Sequence, residues 1–400
     1  AFCRSAVQRC RGGSAPRIPL FQTDDAGGEL LTEQDHLQVY TLTLTTRGPL
    51  HIGSGQKTPR KEYILNPEKG TVSFLKEQAF FDLLIQNRLV ELFEGFCMRR
   101  GGDLYAFLYR ECGVDDEQIA PVIRYQVSTG GTLDADHSLK DIHRFIRNPQ
   151  GVAYIPGSSI KGALRSALLY QMIAGQDPRR RQANVARLMD MPMDKRNEKN
   201  LVLPEESYLH VLELEAKKPS NAVNSLMRGI QVSDSEPVPD RMMTLTMKQD
   251  GSRAGEIHAI NLCRECIAPG TAIRFRLTLD QSILKNRITA QTILEAINAF
   301  AAYYRQTYEK YFASPYGLSD PGTRNLLHLG GGSGFFATSL AYPYLGEEKG
   351  LDFVSRYLSR NFRGHHHEQD QALGISPHTL KYAKHGQTMY VTGACEVSIT

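Results

Sequence analysis

The most constraining feature of this 400-residue sequence is a set of short segments in which apolar and polar residues alternate. Tyr40, Leu42 and Leu44 alternate with threonines, and residues 273–279 repeat the pattern with arginines between the apolar positions. Strict alternation predicts strands that have one buried face and one polar face. A fold that uses such strands must cover one side of a sheet and leave the other side polar.

Helical segments are interspersed among these strands. Apolar residues recur at helical spacing in residues 77–96 and 289–312, which predicts one amphipathic helix in each. Residues 62–75 contain an Asn-Pro turn between two apolar runs and predict a hairpin, and residues 389–399 predict a closing strand. Because strands and helices interleave without a regular βαβ period, the sequence predicts an α+β fold with antiparallel sheets.

Charge and composition narrow the classes of function only slightly. Lys and Arg outnumber Asp and Glu by 47 to 43, a net charge of +4, so any nucleic-acid footprint must be local. The sequence has no apolar run long enough to predict a membrane span and no signal peptide at its start. The seven scattered cysteines are then expected to be reduced, in the cytoplasm. Residues 1–35, rich in Gly, Arg and Asp, predict a flexible arm.

Residues 154–169, YIPGSSIKGALRSALL, read as a turn followed by an amphipathic helix. Ser158 or Ser159 is predicted to cap the helix, and Lys161 and Arg165 lie one turn apart on one face. Free backbone N–H groups and nearby cations at a helix N-terminus favour a bound phosphate. The alternative is that both cations lie on the solvated face of an ordinary core helix.

Two glycine-rich segments form a second group of candidates. Residues 330–334, GGGSG, offer unhindered N–H groups that suit an anion nest, and residues 51–55, HIGSG, are a weaker version. Neither matches a Walker loop, because no Lys-Ser or Lys-Thr follows, and neither has the spacing of a dinucleotide fingerprint. A nucleotide-binding enzyme is therefore disfavoured.

The remaining chemistry-bearing residues predict neither a metal site nor a catalytic site. Residues 263–266, CREC, have no second ligand pair, so zinc is not expected there, and the histidine run 365–367 is predicted to be a solvated loop. His51, His143 and His328 are each candidates for a general acid or base in RNA cleavage, but the sequence gives none of them a partner.

The order of these motifs resembles that of the RAMP superfamily of CRISPR effector subunits. The motifs that carry the resemblance are residues 51–55, 141–146 (DIHRFI), 154–165 and 230–235 (IQVSDS). Residues 376–381 (SPHTLK) and 389–393 (MYVTG) are similar to the family of the fifth subunit of type III-A Csm complexes. The resemblance covers about residues 38–400.

The resemblance implies a ferredoxin-like core, similar to an RNA-recognition motif, with inserted loops and helices. Residues 1–37 would be a flexible extension, residues 38–282 the RAMP core with its insertions, and residues 283–400 a C-terminal region with the glycine-rich loop that completes the fold. No catalytic residue, cofactor or metal is implied for this subunit, because the family's target-cleaving subunit is a different one. The alternative within the superfamily is a metal-independent endoribonuclease that processes CRISPR RNA with His51 as general acid or base.

The resemblance also implies partners and a role. The chain would cap the 3′ end of the crRNA, contribute to crRNA maturation and antiviral defence, and contact the repeated third subunit and the small second subunit. Target RNA would pass alongside, and host nucleases would be recruited for 3′ trimming, all in the cytoplasm and away from membranes. The implied RNA-binding residues are His51, Gly53, Ser54, Gly55, Ser158, Ser159, Lys161, Arg165, Gly330, Gly331, Gly332, Ser333 and Gly334.

Overall fold

The computed structural model describes residues 36–132, 140–177, 208–218, 220–312 and 324–400, with a few isolated positions between 179 and 186. Residues 36–400 group as one unit. The predicted N-terminal arm of residues 1–35 lies outside the described residues.

The described residues contain fourteen strands and ten α-helices. The strands are β1 (Leu37–Thr46), β2 (Gly53–Thr58), β3 (Tyr63–Asn66), β4 (Thr71–Leu75), β5 (Ile123–Ser128), β6 (Ile142–Phe145), β7 (Ile230–Val232), β8 (Met243–Ser252), β9 (Ile257–Ile267), β10 (Ala272–Asp280), β11 (Leu326–His328), β12 (Thr379–His385), β13 (Thr388–Val391) and β14 (Ala394–Ile399). The helices are α1 (Glu77–Gln86), α2 (Val90–Met98), α3 (Asp116–Ile119), α4 (Gly157–Ala174), α5 (Gln281–Leu284), α6 (Ala290–Thr307), α7 (Gly334–Thr338), α8 (Ala341–Leu345), α9 (Glu347–Asn361) and α10 (Asp370–Leu373).

A five-stranded antiparallel sheet has the strand order β11-β14-β1-β10-β7. Its central strands β1 and β10 place Leu42 opposite Phe275, and both side chains are buried. Helices α4 and α6 pack together and contribute Ile160 and Ile293 to the same hydrophobic core. The alternation seen in the sequence is therefore confirmed, because the apolar set of each strand faces this core.

The opposite set of side chains on this sheet is polar. Arg274 pairs in register with Thr43, and Arg276 pairs with Thr41. Both arginines are exposed. This open polar face is the second consequence of the alternating pattern.

A second, larger sheet is mixed rather than antiparallel. Its order is β2-β6-β9-β8-β5-β4-β3, with β12 paired to β8 and to β13. The pairs β6–β9 and β5–β8 are parallel, and the remaining pairs are antiparallel. The predicted hairpin forms β3 and β4, and the Asn66 side chain accepts hydrogen bonds from the turn that joins them. The molecule therefore has a mixed α/β architecture with one antiparallel and one mixed sheet.

Three predicted elements differ from the observed ones. The single helix of residues 77–96 is two helices, because Arg88 between them adopts a left-handed conformation with φ 56°. The closing strand is interrupted at Gly393, where a Cβ atom would lie 2.1 Å from the carbonyl oxygen of Leu329. Helix α6 ends at Thr307 instead of residue 312.

The larger sheet contains a buried ion-pair network centred on Glu265 of β9. Its fully buried carboxylate accepts a hydrogen bond from Arg147 Nη2 at 2.5 Å and another from the backbone N–H of Phe145 at 2.9 Å. Arg147 also donates to Asp240 at 2.7 Å and stacks its guanidinium on Tyr125. The network links β5, β6 and β9 through one carboxylate.

Among the described helices, none combines the length and the apolar character that crossing a membrane requires.

We expect Glu265→Ala to lower the free energy of unfolding by about 3–5 kcal/mol, because the buried Arg147 loses its buried carboxylate partner and keeps only the partly exposed Asp240. The control is Glu396→Ala, which breaks an ion pair of Glu396 with Arg47 in which both side chains are partly exposed. That loss should stay below about 1 kcal/mol. Denaturant titration of both variants measures the difference, and equally small losses would contradict a structural role for the buried pair.

Candidate functional site

The segment after β1 brings His51 into the interior of the larger sheet. Leu50 forms an isolated bridge with Ile267, and His51 is buried with Nδ1 2.7 Å from the carbonyl oxygen of Glu265. Because a carbonyl only accepts, Nδ1 carries the proton. Burial is the main cause that lowers the pKa of His51 to about 4, so the ring is neutral at pH 7. His51 therefore supplies shape and a hydrogen bond, and no positive charge.

The residues that follow His51 differ from the predicted loop. Gly53, Ser54 and Gly55 begin the edge strand β2, which pairs with β6, and all three are exposed. A Cβ atom on Gly53 would lie 3.0 Å from Nε2 of His51, which is a tight contact. Gly53 thus lets the edge strand pass close to the imidazole.

Residues 330–334 form a tight turn against His51, between β11 and α7. The Gly331 N–H donates to the carbonyl oxygen of His51 at 2.8 Å. Gly330 has φ 72°, and a Cβ atom there would lie 2.2 Å from that same oxygen. We call the two segments together, residues 51–55 and 330–334, the glycine cradle. The structure brings together two motifs that are about 280 residues apart in the sequence.

Arg264 of β9 lies against the glycine cradle. Its Nη1 donates to the carbonyl oxygen of Gly331 at 3.1 Å, and a Cβ atom on Gly332 would lie 2.9 Å from the same nitrogen. Ser333 is buried and donates its hydroxyl proton to the carbonyl oxygen of Gly330 at 3.0 Å. The backbone of the turn is therefore held from both sides.

Strand register aligns three basic side chains beside the cradle. Lys57 of β2 pairs with His143 of β6, which in turn pairs with Arg264 of β9. Register partners point to the same side of a sheet. Burial, followed by the charges of Lys57 and Arg264, lowers the pKa of His143. We call Lys57, His143 and Arg264 the basic row.

Sequence reasoning did not find the basic row. His143 was considered as a general acid or base and as part of the motif of residues 141–146, and Arg264 only as part of a rejected zinc motif. Cys263 and Cys266, which flank it, are fully buried, and burial raises the pKa of each thiol to about 12. The one available signal was a basic residue within each of three short segments, and that signal becomes specific only when the strand register is known.

The N-terminus of α4 is capped differently from the prediction. The predicted cap by Ser158 or Ser159 is wrong, since neither side chain caps the helix. Instead the Gly157 N–H donates to the Asp234 carboxylate at 2.9 Å. A Cβ atom on Gly157 would lie 2.2 Å from the carbonyl oxygen of Val232, so the helix starts directly against this segment. An anionic side chain therefore already occupies the first position of the predicted phosphate seat.

The cations of α4 lie on its outer side. Ser158, Lys161 and Arg165 share one face of the helix by spacing, opposite the buried Ile160 and Leu164. Ser158 and Arg165 are exposed, and partial burial lowers the pKa of Lys161. We call Ser158, Lys161 and Arg165 the α4 face.

The α4 face and the glycine cradle belong to neighbouring elements. Ala163 of α4 lines a small cavity with His328 of β11 and Ala337 of α7. These two elements flank the turn of residues 330–334. The α4 face therefore lies on a helix that shares a cavity with the elements next to the glycine cradle. The two glycine segments of the cradle, by contrast, contact each other directly.

Comparisons with known proteins agree with this architecture. The model of the RAMP superfamily matches residues 43–336. A protein described as CRISPR system Cms protein Csm5 from Mycobacterium tuberculosis (strain CDC 1551 / Oshkosh) is 27% identical over 383 residues, which is 91% of this chain and 98% of the relative. A protein with the same description from Streptococcus thermophilus is 28% identical over 320 residues, covering 76% of this chain and 80% of the relative.

Solved structures show the same fold at lower identity. A chain of a Csm-crRNA-target RNA ternary complex from a type III-A CRISPR-Cas system, solved by cryo-EM, has a TM-score of 0.60 and 20% identity, covering 90% of this chain and 100% of that chain. The crystal structure of T. onnurineus Csm5 has a TM-score of 0.58 and 19% identity, with 88% and 99% covered. The predicted resemblance is confirmed by these matches, and the chain belongs to the RAMP superfamily.

Proposed function

We propose that this chain is a non-catalytic RNA-binding subunit of a type III-A Csm effector complex. Its similarity to proteins named Csm5, over most of its length, supports the assignment to such a complex. So does its structural likeness to a chain in a complex that contains crRNA and target RNA. The observation that carries the RNA-binding proposal is the basic row, which lies beside the glycine cradle.

The basic row is better suited to bind the phosphates of an RNA backbone than to bind a nucleobase. The cations Lys57 and Arg264 lie on either side of His143, two inter-strand steps or about 10 Å apart. Contacts of this kind neutralise phosphates and carry no sequence information, as a subunit that accepts any guide requires. Within the cradle, Gly55 has open space where a Cβ atom would lie, so RNA can approach the protein backbone there. The α4 face would add Lys161 and Arg165 as a second phosphate contact.

The finer role follows from the family to which the relatives belong. The chain would cap the 3′ end of the crRNA, contact the repeated third subunit and the small second subunit, and leave target RNA to pass alongside. It would thereby contribute to crRNA maturation, with host nucleases trimming the 3′ end, and to antiviral defence in the cytoplasm.

The topology supports a ferredoxin-like interpretation of the five-stranded sheet. In chain order, β1, α4, β7, β10, α6 and β14 form a β-α-β-β-α-β series, and their strand order is β14-β1-β10-β7. That series with antiparallel neighbours is typical of the split βαβ motif. The second sheet would then be built from insertions, and residues 283–400 would complete the core by supplying α6 and β14.

The geometry of His51 supports a non-catalytic subunit over an endoribonuclease. A general acid must carry its proton at the working pH, and burial keeps the pKa of His51 at about 4. Its Nδ1 proton is held by the carbonyl of Glu265, and Nε2 faces Gly53. The ring is placed to support the cradle.

We expect the double variant Lys57→Gln/Arg264→Gln to weaken binding of the full chain to single-stranded RNA and to flatten its salt dependence. Loss of two phosphate contacts should reduce the slope of log K against log salt by about 1.4, since each contact to a single strand contributes about 0.7. The control Lys69→Gln/Lys76→Gln removes the same charge from two exposed lysines near the β3–β4 hairpin. An equal change of slope in both variants, or no change in either, would contradict the proposed contact.

We expect Gly330→Ala to lower RNA affinity roughly tenfold, about 1.4 kcal/mol, because its Cβ clashes with the His51 carbonyl and separates the two halves of the cradle. The matched control is Gly334→Ala. Gly334 has a similar positive φ of 84°, but a Cβ atom there meets nothing within 4 Å. Both variants carry the same backbone strain, so only the clash differs. Fluorescence anisotropy with single-stranded RNA distinguishes them, and equal losses would argue against the cradle as an RNA contact.

A further inference from the structure

The histidine run of residues 365–367 does not behave as the single solvated loop that the sequence predicts. His365 and His366 are exposed, but His367 is buried and lies in a 3-10 turn directly before α10. His378, which comes from the lead-in to β12, packs near it with ring centroids 5.0 Å apart and the rings tilted by 53°. His367 also stacks on His365, with ring centroids 6.2 Å apart. Within the run, only His367 is buried, and it is paired with a distant histidine.

The two histidines converge on one buried carboxylate. Asp370 Oδ2 lies 3.0 Å from Nδ1 of His367, and Asp370 Oδ1 lies 2.5 Å from Nδ1 of His378. Asp370 is fully buried, and each residue offers a ligand atom within 4.8 Å of the others. Three ligand atoms from two chain segments therefore surround one small space.

A second layer of hydrogen bonds orients the carboxylate. The Ser376 hydroxyl donates to Asp370 Oδ2, and Ser376 is itself fully buried. The Tyr342 hydroxyl donates to the carbonyl oxygen of Ser376 at 2.7 Å, which holds this peptide in place. Outer partners of this kind orient the ligands of metal sites and raise the affinity for the ion.

We propose that His367, Asp370 and His378 bind a divalent transition-metal ion, and that Zn²⁺ is the ion their chemistry favours. Two imidazole nitrogens and one carboxylate oxygen suit Zn²⁺, whereas Mg²⁺ and Ca²⁺ prefer oxygen ligands alone. Binding requires each Nδ1 to present its lone pair, so the proton of a neutral ring moves to Nε2. The side chain of His378 is partly exposed, which gives the ion a path from solvent.

The ion would link the C-terminal helices to the larger sheet. Asp370 starts α10, which packs against α9, and His378 directly precedes β12, which pairs with β8. Because an ion that binds only the folded chain stabilises it, the site would contribute to the stability of this region. A hydrogen-bond network without metal is the competing explanation for the same three side chains.

The test uses the full chain prepared without a histidine tag and stripped with EDTA. We expect the wild-type protein to take up one equivalent of Zn²⁺ in competition with a chromophoric chelator and to unfold at a higher temperature once loaded. His378→Gln and His367→Gln should each lower the Zn²⁺ affinity at least about tenfold, since even outer partners contribute about 10–100-fold. His366→Gln is the matched control, because His366 belongs to the same run but is exposed.

A second readout does not depend on the folding of any variant. Co²⁺ added to the stripped wild-type chain should give the visible absorption of a bound, low-coordinate ion, and Zn²⁺ should remove it. No Co²⁺ signal and no Zn²⁺ uptake by the wild-type chain would overturn the proposal and favour the metal-free network. Uptake that falls equally in His366→Gln, or that persists in a His367→Gln/His378→Gln double variant, would also overturn it.

Discussion

The rest of the candidate site depends on the hydrogen bonds that the buried Glu265 accepts through its carboxylate and its backbone carbonyl. Its side chain joins Arg147 and the backbone of Phe145, while its own backbone carbonyl holds the imidazole of His51. The carbonyl of His51 in turn accepts the N–H of Gly331. One residue therefore connects the interior of the larger sheet to the surface turn, through two hydrogen bonds in series.

This arrangement explains why the region is rich in glycine and poor in exposed charge. Direct backbone contact between residues 51 and 330 leaves no space for a side chain at 330, so the cradle contributes N–H, carbonyl and hydroxyl groups and no charge. Positive charge must then come from the adjoining strands, where register aligns Lys57 and Arg264 on either side of His143. A net charge of +4 over 400 residues is compatible with RNA binding when the cations are local.

Much of the fold could be predicted from local sequence, because alternation and helical spacing are local properties. Strands β1 and β10 and the β3–β4 hairpin follow directly from their patterns. The errors occur where a distant contact decides the outcome. The cap of α4 comes from Asp234, and the interruption of the last strand at Gly393 comes from Leu329, each far from the element it alters.

The sequence identified the motifs of the site but not how these motifs contact one another. The segments at 51–55 and 330–334 were both expected to be functional, yet their mutual contact depends on tertiary packing. The basic row depends on strand register, which the sequence does not specify. The sequence predicted the same exposure for His367 as for its neighbours, because its burial beside Asp370 depends on tertiary packing and not on local sequence.

The central claim is that RNA follows the basic row beside the glycine cradle, and ultraviolet cross-linking of the assembled complex to its guide RNA tests it most directly. Mass spectrometry would identify the peptides that carry a nucleotide. The account predicts adducts on peptides that contain residues 51–58 and 330–336. Adducts confined to the open polar face of the five-stranded sheet, around Arg274 and Arg276, would contradict it.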